Sequence, residues 1–467
     1  MKTEDAYLSP FSWRYGSEAM RTLWGPIQQR LIWRRIWVAL AKGQAELGLV
    51  RPEEVEDLVR HQESIDLGRA AEIEKEIRHD LMAEVKAYAE QCSVGGGIIH
   101  LGATSMDILD NADAIRMRDS LDLLIPKLKI LLGSFAQKIQ AHADDVTMGF
   151  THLQPAEPTT MGYRLAQYGQ DLLDDLSNLQ HIRAKIKGKG FKGATGTSAS
   201  YVHLQNDDAA AHRQWEEDIM ATLNLPVASV ATQTVARKQE FELLSTLAGL
   251  GQSLYKFAFD IRLLQSPLSG EWSEPFGKKQ VGSSAMPFKR NPIDAENIDS
   301  LARLLAALPR VAWDNAAHSL LERTLDDSAN RRSSLPEAFL IADEILMKAQ
   351  RIIENLGHHP LAQKKLLKNY GPFAATERLL MEAVKRGGDR QELHGVIRQH
   401  ALVAWSSLAE EKGNPLVEAL CREPKLLAWM NEEELRSSMN ASHYIGDASE
   451  RAHHLAHQIE AALQKVK

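Results

Sequence analysis

The sequence predicts an all-α fold in which long helices form a bundle. Three observations support this prediction. Apolar residues recur at steps of three and four over long stretches, strand-like alternation is almost absent, and irregular stretches are few. The chain has 467 residues, of which 44% are hydrophobic, so it can bury a large core.

Four apolar stripes indicate the helices in chain order. The first lies near the N-terminus, the second runs from 121 to 139 and is interrupted by Pro126, and the third follows the start signal at 158–160. In the fourth, steps of four and three alternate, which keeps one seam facing a neighbouring helix. The first stripe consists of Trp24, Trp33, Ile36, Trp37 and Leu40, and the third of Leu165, Leu172, Leu176 and Leu179. The fourth consists of Leu243, Leu247, Leu250, Leu254, Phe257, Ile261 and Leu264.

The irregular stretches between these helices are rich in Gly, Ser, Thr, His and Pro. They cover residues 93–104, 147–158, 188–200 and 266–292. Polar loops on a rigid helical scaffold are where a binding or catalytic site is expected.

We predict three domains, with edges near the Gly-rich loop around residue 100 and near the segment GHHP at residues 357–360. Residues 1–104 would form an N-terminal helical domain, residues 105–357 the central long-helix bundle, and residues 358–467 a C-terminal helical domain.

Composition excludes several classes of protein. The net charge of −7 is spread along the chain without a basic stripe, which argues against nucleic-acid binding. Cys92 and Cys421 are the only cysteines and lie in no metal-ligand spacing. The N-terminus has no apolar signal region, and no run of about 18 apolar residues could span a membrane. These features predict a cytoplasmic protein without membrane contact.

Two patterns that could suggest a cofactor have simpler explanations. Residues 188–193 read GKGFKG, but a dinucleotide fingerprint needs a strand before it, and here a long helical pattern precedes it. A flexible loop is the better interpretation. His79, His100 and His152 could be imagined as a zinc triad, but close ligand spacing such as HExxH is absent. We therefore predict neither a cofactor nor a metal.

The most informative segment is GSSAMPFKRNP at residues 282–292. It offers two hydroxyls, free backbone N–H groups and a cation, and it ends where Pro292 opens a helix. An ordinary solvated turn would explain the Gly and Pro residues but not the Ser pair, Lys289 and Asn291 together. Such a cluster suits an anion, and a serine in this field could be stabilised as its alkoxide.

This segment resembles the signature loop of the fumarase/aspartase superfamily. Other segments are similar to the adenylosuccinate lyases of the branch that includes the animal enzymes. These segments are SPFSWRY at 9–15, RHDLMAEV at 78–85, GIIHLGATS at 97–105, GFTHLQPAEPTT at 149–160 and ERTLDDSANRR at 322–332. The resemblance runs from about residue 8 to beyond residue 355 and becomes loose in the last hundred residues.

The resemblance implies an elimination that breaks a C–N bond and releases fumarate. The substrates would be adenylosuccinate, which gives AMP, and the succinyl-aminoimidazole-carboxamide ribotide of purine nucleotide biosynthesis. Ser283 would be the base and His152 the acid. Supporting roles fall to His79, Ser284, Lys289 and Glu296. The implied substrate contacts are Arg14, Tyr15, Arg78, Asp80, Thr104, Ser105, Thr151, Gln233, Asn291, Asn297, Arg323, Ser328 and Arg332.

The resemblance also implies a homotetramer in which each active site takes residues from three chains. Asn297 departs from the pattern, because the animal-type branch has an arginine at this position. The balance between the two substrates is therefore open.

Three alternatives remain at this stage. Arg323 and Arg332 could simply form a salt-bridged face with Asp326 and Asp327. The substrate could be argininosuccinate, although an amino-acid substrate would not need these arginines. The chain could also be a structural protein on this scaffold, as the lens crystallins are, but the proposed catalytic residues are all present.

Overall fold

The computed structural model describes residues 6–464, and most of them are α-helical, which confirms the all-α prediction. The helices in chain order are Glu18–Trp24 (α1), Pro26–Glu46 (α2), Pro52–His61 (α3), Leu67–Ile77 (α4), Asp80–Gln91 (α5), Ser105–Ala141 (α6), Met161–Lys185 (α7), Ala199–Leu204 (α8), Ala209–Thr222 (α9), Lys238–Leu264 (α10), Ile293–Ala317 (α11), Asp326–Glu354 (α12), Pro360–Lys385 (α13), Arg390–Ala409 (α14), Leu416–Cys421 (α15), Pro424–Leu427 (α16), Glu432–Ser438 (α17) and Ala448–Gln464 (α18).

The apolar seam predicted from Leu243 to Leu264 is the buried face of α10. Six of its seven residues are fully buried, and Leu264 is 8% exposed. A single chain therefore already covers the seam, so this face does not need a second subunit.

Helix α6 continues through Pro126, where the stripe was expected to be interrupted. A proline inside a helix removes one backbone hydrogen bond and crowds the preceding turn. Here the neighbouring residues Leu121, Leu124 and Leu128 are fully buried. Their packing holds the helix together on both sides of the proline.

Contacts between residues divide the chain into two compact units. Unit 1 consists of Met1–Lys127, Asp175–Gln252 and Leu301–Ile345, and unit 2 consists of Leu128–Asp174, Ser253–Ser300 and Leu346–Lys467. The boundaries fall within α6, α7, α10, α11 and α12. This division follows a different criterion from the three domains expected from the sequence, and those domains remain a prediction.

Short strands form two small antiparallel sheets. Val146–Thr151 (β1) pairs with Gln154–Thr160 (β2), and Trp272–Ser273 (β3) pairs with Gly357–His358 (β4). The expectation of an irregular stretch at 147–158 was wrong, because these residues form a β-hairpin. Helix α13 packs against both of its strands.

Across residues 6–464, we find no helix that combines the length and the apolar character needed to cross a bilayer.

Candidate active site

Unit 1 contains a cavity of about 720 Å³ that gathers nine of the residues expected to contact substrate or support the site. They come from the end of α4, the start of α5, the start of α6, the loop before α10, the loop before α12 and the first two turns of α12. These residues are Arg78, His79, Asp80, Thr104, Ser105, Gln233, Arg323, Ser328 and Arg332.

Sequence reasoning missed several other residues that line this cavity, among them Trp33, Asp113, Arg116 and Arg331. Arg331 could have been found from the sequence, because it is next to Arg332 in the segment ERTLDDSANRR. Asp113 and Arg116 are three residues apart on α6 and form an ion pair, a spacing that places them on one helix face.

Arginines around the start of α12 bring positive charge to the cavity: Arg323 lies just before the helix, and Arg331 and Arg332 lie within it. Arg323 Nη1 donates to Asp327 Oδ1 at 2.9 Å, and the buried Arg237 donates through Nε to Asp327 Oδ2 at 2.7 Å. Burial alone would raise the pKa of Asp327, but the charge and hydrogen bond of Arg237 and the charge of Arg323 lower it below its ordinary value. The alternative of a salt-bridged face is thus partly right, yet Arg323 also lines the cavity.

The start of α5 supplies a histidine and a carboxylate. His79 caps the helix, and its Nδ1 accepts a hydrogen bond from the Met82 N–H at 3.3 Å. The proton of a neutral His79 ring therefore lies on Nε2. Asp80 Oδ2 accepts from Arg332 Nη2 at 2.6 Å. Burial would raise the pKa of Asp80, but the hydrogen bonds from Arg332 and the Leu81 N–H lower it, so the group stays ionised at neutral pH.

Thr104 is held in place just before α6 by Asp107, which is fully buried. One Asp107 oxygen accepts from the Thr104 N–H at 3.0 Å and the other from Lys189 Nζ at 2.6 Å. Lys189 belongs to the GKGFKG segment and is itself fully buried. The interpretation of this segment as a flexible loop was therefore wrong. Lys189 Nζ and the Gly193 N–H donate to Asp107, and the Gly190 N–H donates to Asn111, so the segment supports the start of α6.

The β1–β2 hairpin presents His152 at its tip. His152 and Leu153 form a two-residue turn with φ values of 53° and 60°, and both side chains are exposed. Two positive φ values match the type I′ turn, whose twist suits the paired strands. Histidine tolerates this conformation better than most residues. Thr151, another expected contact, is the last residue of β1 and is also exposed.

The signature loop in unit 2 presents Ser283. Its Oγ accepts hydrogen bonds from the Ala285 N–H at 3.3 Å and the Met286 N–H at 3.1 Å. Asn291 Nδ2 donates to the Gly282 carbonyl at 2.9 Å and joins the two ends of the loop. A Cβ at Gly282 would lie 2.0 Å from the Lys289 carbonyl oxygen, so only glycine fits there.

The remaining expected residues lie in three places. Ser284 and Lys289 are exposed on the signature loop, and Glu296 is exposed in the first turn of α11. Asn297 follows it and is half-buried, and its Oδ1 has no hydrogen-bond partner among the described residues. In unit 1, the exposed Arg14 guanidinium lies 5.8 Å from the Tyr15 ring; neither residue lines the cavity.

His100 has a structural position. Its Nδ1 lies 3.1 Å from Trp37 Nε1, which donates a hydrogen bond to it, and burial lowers its pKa. In residues 6–464, two groups of side chains are close enough to hold a metal ion, and none of the histidines of the imagined triad belongs to either. In the first group, Asp57 is occupied by the Val94 and Gly95 N–H groups, and burial raises the pKa of Cys92 to about 11. The second group consists of His142, Asp145 and His358.

Two family models match the chain. The model described as Lyase covers residues 20–305, which is more than half of the chain, and the model described as Adenylosuccinate lyase C-terminus covers residues 372–454. The helical fold and the first of these matches define the class, a lyase.

Comparison with individual proteins identifies the family within this class. An adenylosuccinate lyase of Schistosoma mansoni is 40% identical over 401 residues, covering 85% of this chain and 83% of the relative. The adenylosuccinate lyase of Saccharomyces cerevisiae is 38% identical over 472 residues, covering 100% and 95%. The chain therefore belongs to the adenylosuccinate lyase family.

Solved structures share the fold. The 3-carboxy-cis,cis-muconate lactonizing enzyme from Pseudomonas putida has a TM-score of 0.85 at 26% identity, covering 97% of this chain and 99% of that chain. A fumarate lyase from Mesorhizobium sp. BNC1 has a TM-score of 0.83 at 24% identity, with the same coverage.

Proposed function

We propose that the protein cleaves adenylosuccinate to AMP and fumarate, and the succinyl-aminoimidazole-carboxamide ribotide to the carboxamide ribotide and fumarate. The observation that carries this proposal is the cavity of unit 1. It is lined by Arg78, Arg323 and Arg332 and by Ser328 in the first turn of α12. Guanidinium groups and a helix N-terminus are the groups that bind phosphate. An amino-acid substrate such as argininosuccinate has no phosphate for them to bind.

In the proposed mechanism, Ser283 removes the proton from the carbon beside a substrate carboxylate. Two backbone N–H groups already point at its Oγ. Hydrogen bonds to the charged form of a group favour that form, so they would stabilise a serine alkoxide. Removing the proton places a second negative charge on the carboxylate. Lys289 and Asn291 would stabilise this charge.

His152 would protonate the departing nitrogen as the C–N bond breaks. The imidazole is exposed at the hairpin tip, so it is free to meet a substrate. Imidazole is the side chain most often used to donate or accept a proton in catalysis near neutral pH. Electrons of the broken C–H bond form the new C=C bond of fumarate, while the pair of the C–N bond leaves with the nitrogen.

We further propose a homotetramer in which the cavity of one subunit is completed by His152 and Ser283 of other subunits. The cavity belongs to unit 1, whereas His152 and Ser283 belong to unit 2. The two residues also lie on different segments, the hairpin and the signature loop, so each could come from a different chain.

A direct test is an assay of purified protein with adenylosuccinate in which fumarate and AMP are both quantified. We expect the two products in equal amounts and no fumarate from argininosuccinate. Fumarate from argininosuccinate alone, or no turnover of either nucleotide substrate, would show that the proposed function is wrong.

Substituting Asn297→Arg should change the ratio of kcat/KM values for the two nucleotide substrates without abolishing either reaction. An arginine at this position, as in the animal-type branch, would replace the half-buried carboxamide of Asn297, whose Oδ1 lacks a partner among the described residues, with a positive charge and additional N–H donors. A charge-assisted hydrogen bond is worth about 1.5–3 kcal/mol, so if it forms with only one of the two substrates, a shift of about ten- to a hundredfold in the ratio is expected. The control is Asn297→Gln, which adds no charge. Equal changes for both substrates would exclude Asn297 from selectivity.

Exhaustive treatment with a chelator should leave the activity unchanged. The proposed base and acid are protein side chains, and neither belongs to a group of potential metal ligands among the described residues. Activity before and after chelation and desalting is compared at the same protein concentration. A loss that zinc or magnesium reverses would contradict the proposed mechanism.

A further inference from the structure

We propose that His142, Asp145 and His358 form a binding site for a zinc-class divalent metal ion. One potential ligand atom from each residue lies within 4.8 Å of the other two. All three residues belong to unit 2 and are half-buried. Imidazole nitrogens and a carboxylate oxygen are ligands that zinc prefers in proteins.

The geometry of the two imidazoles distinguishes this group from a simple histidine–carboxylate pair. His142 Nδ1 and Asp145 Oδ2 are 2.7 Å apart, which a hydrogen bond alone would explain. The His358 ring, however, lies beside the His142 ring, with centroids 4.8 Å apart and planes inclined by 72°. Both rings are therefore close enough to the carboxylate for all three side chains to share one divalent cation.

A second interaction prepares His358 for metal binding. Its Nε2 lies 2.7 Å from the carboxamide Oε1 of Gln363, which is buried. A carboxamide oxygen only accepts, so His358 Nε2 donates the proton and Nδ1 keeps its lone pair. Metal-binding histidines commonly donate their other N–H to such a partner.

Backbone hydrogen bonds fix the positions of the three residues. The three side chains would therefore reach a shared metal ion by rotating about their side-chain bonds. The carbonyls of His142 and Asp145 accept from the Gly162 and Met161 N–H groups at 2.7 and 2.8 Å. His358 is held in the sheet by its pairing with Trp272. Tetrahedral zinc with bonds of about 2.0–2.1 Å would bring the ligand atoms to about 3.3 Å from one another. Three protein ligands leave the fourth position to water.

The metal ion would have a structural role and would take no part in the reaction. It joins the end of α6 and the base of the β1–β2 hairpin to β4. His152 lies at the other end of β1, about 20 Å away by the rise of an extended strand. Metal binding is therefore expected to stabilise the fold and to leave the elimination unaffected.

The test uses untagged full-length protein that has been chelated and desalted, titrated with Co²⁺ and with Zn²⁺. We expect one equivalent per chain, a Co²⁺ absorption spectrum of a nitrogen- and oxygen-liganded site, and a rise in Tm with stoichiometric Zn²⁺. His142→Asn and His358→Ala should each weaken binding at least about tenfold and remove the rise in Tm. Gln363→Leu, which removes the hydrogen-bond acceptor of His358 Nε2, should weaken binding about 10–100-fold.

His457→Ala is the matched control, because it removes an exposed histidine on α18 that lies outside the group. This variant should bind like the parent. Absence of stoichiometric binding, or equal binding by the parent and both ligand variants, would overturn the proposal. These readouts do not depend on turnover, so their failure would leave the proposed enzymatic function unaffected.

Discussion

Ser283→Ala and His152→Gln should each lower kcat by at least about a hundredfold while leaving the helical fold intact, because general acid–base groups contribute about 10²–10⁴ in rate. Ser283 is in a loop and His152 in an exposed turn, so neither change opens a cavity in the core. Turnover is measured with adenylosuccinate at saturation, and the fold is checked by circular dichroism and Tm.

Matched variants separate the chemistry from the local conformation. Ser284→Ala removes the neighbouring, exposed hydroxyl and should reduce kcat much less than Ser283→Ala. His152→Asn keeps a residue that tolerates positive φ, so the turn is retained while the imidazole is lost. It should be as inactive as His152→Gln. Turnover within tenfold of the parent for a Ser283 or His152 variant would remove that residue from its assigned role.

The long helices could be predicted because their signal is periodic. Every apolar residue of the seam from Leu243 to Leu264 is buried in α10, as steps of four and three require. The interruption of the second stripe at Pro126 was not predicted correctly, because α6 continues through the proline. Buried leucines on both sides outweigh the local cost of the proline.

The hairpin that carries His152 could not be predicted, because its local signals point elsewhere. Its strands contain Pro155 and Pro158, and its turn is His-Leu rather than Asn-Gly. These residues are the reason why the sequence predicted an irregular stretch here instead of a hairpin. Packing against α13 supplies a tertiary interaction that the local sequence does not contain.

The sequence pattern alone could not predict which residues meet in the site. The resemblance proposed these residues, and the fold brings nine of them together. Nine expected residues meet in one cavity, although they come from segments as far apart as residues 78 and 332. Spacing along the chain contains no such information. The support of Thr104 by Asp107 and Lys189 was missed for the same reason, since residues 107 and 189 meet only in the folded chain.

Mixing two inactive variants should restore activity if the active sites are shared between subunits. His152→Gln and Ser283→Ala proteins are combined in equal amounts, dissociated and reassembled. If the two residues of one site come from different chains, each is intact half of the time, so about a quarter of the sites should regain function in a symmetric oligomer. If both come from one chain, no site can be intact at any mixing ratio.

The experiment needs three controls. Each variant is taken alone through the same dissociation and reassembly, and the parent protein shows how much activity the procedure preserves. The oligomeric state is measured by light scattering before and after mixing. Restored activity should depend on the mixing ratio and reach its maximum at equal amounts, because the probability that both donors are intact is highest there. Reassembled tetramers of mixed composition without activity would exclude the shared site, yet they would leave the proposed elimination by Ser283 and His152 of a single chain standing.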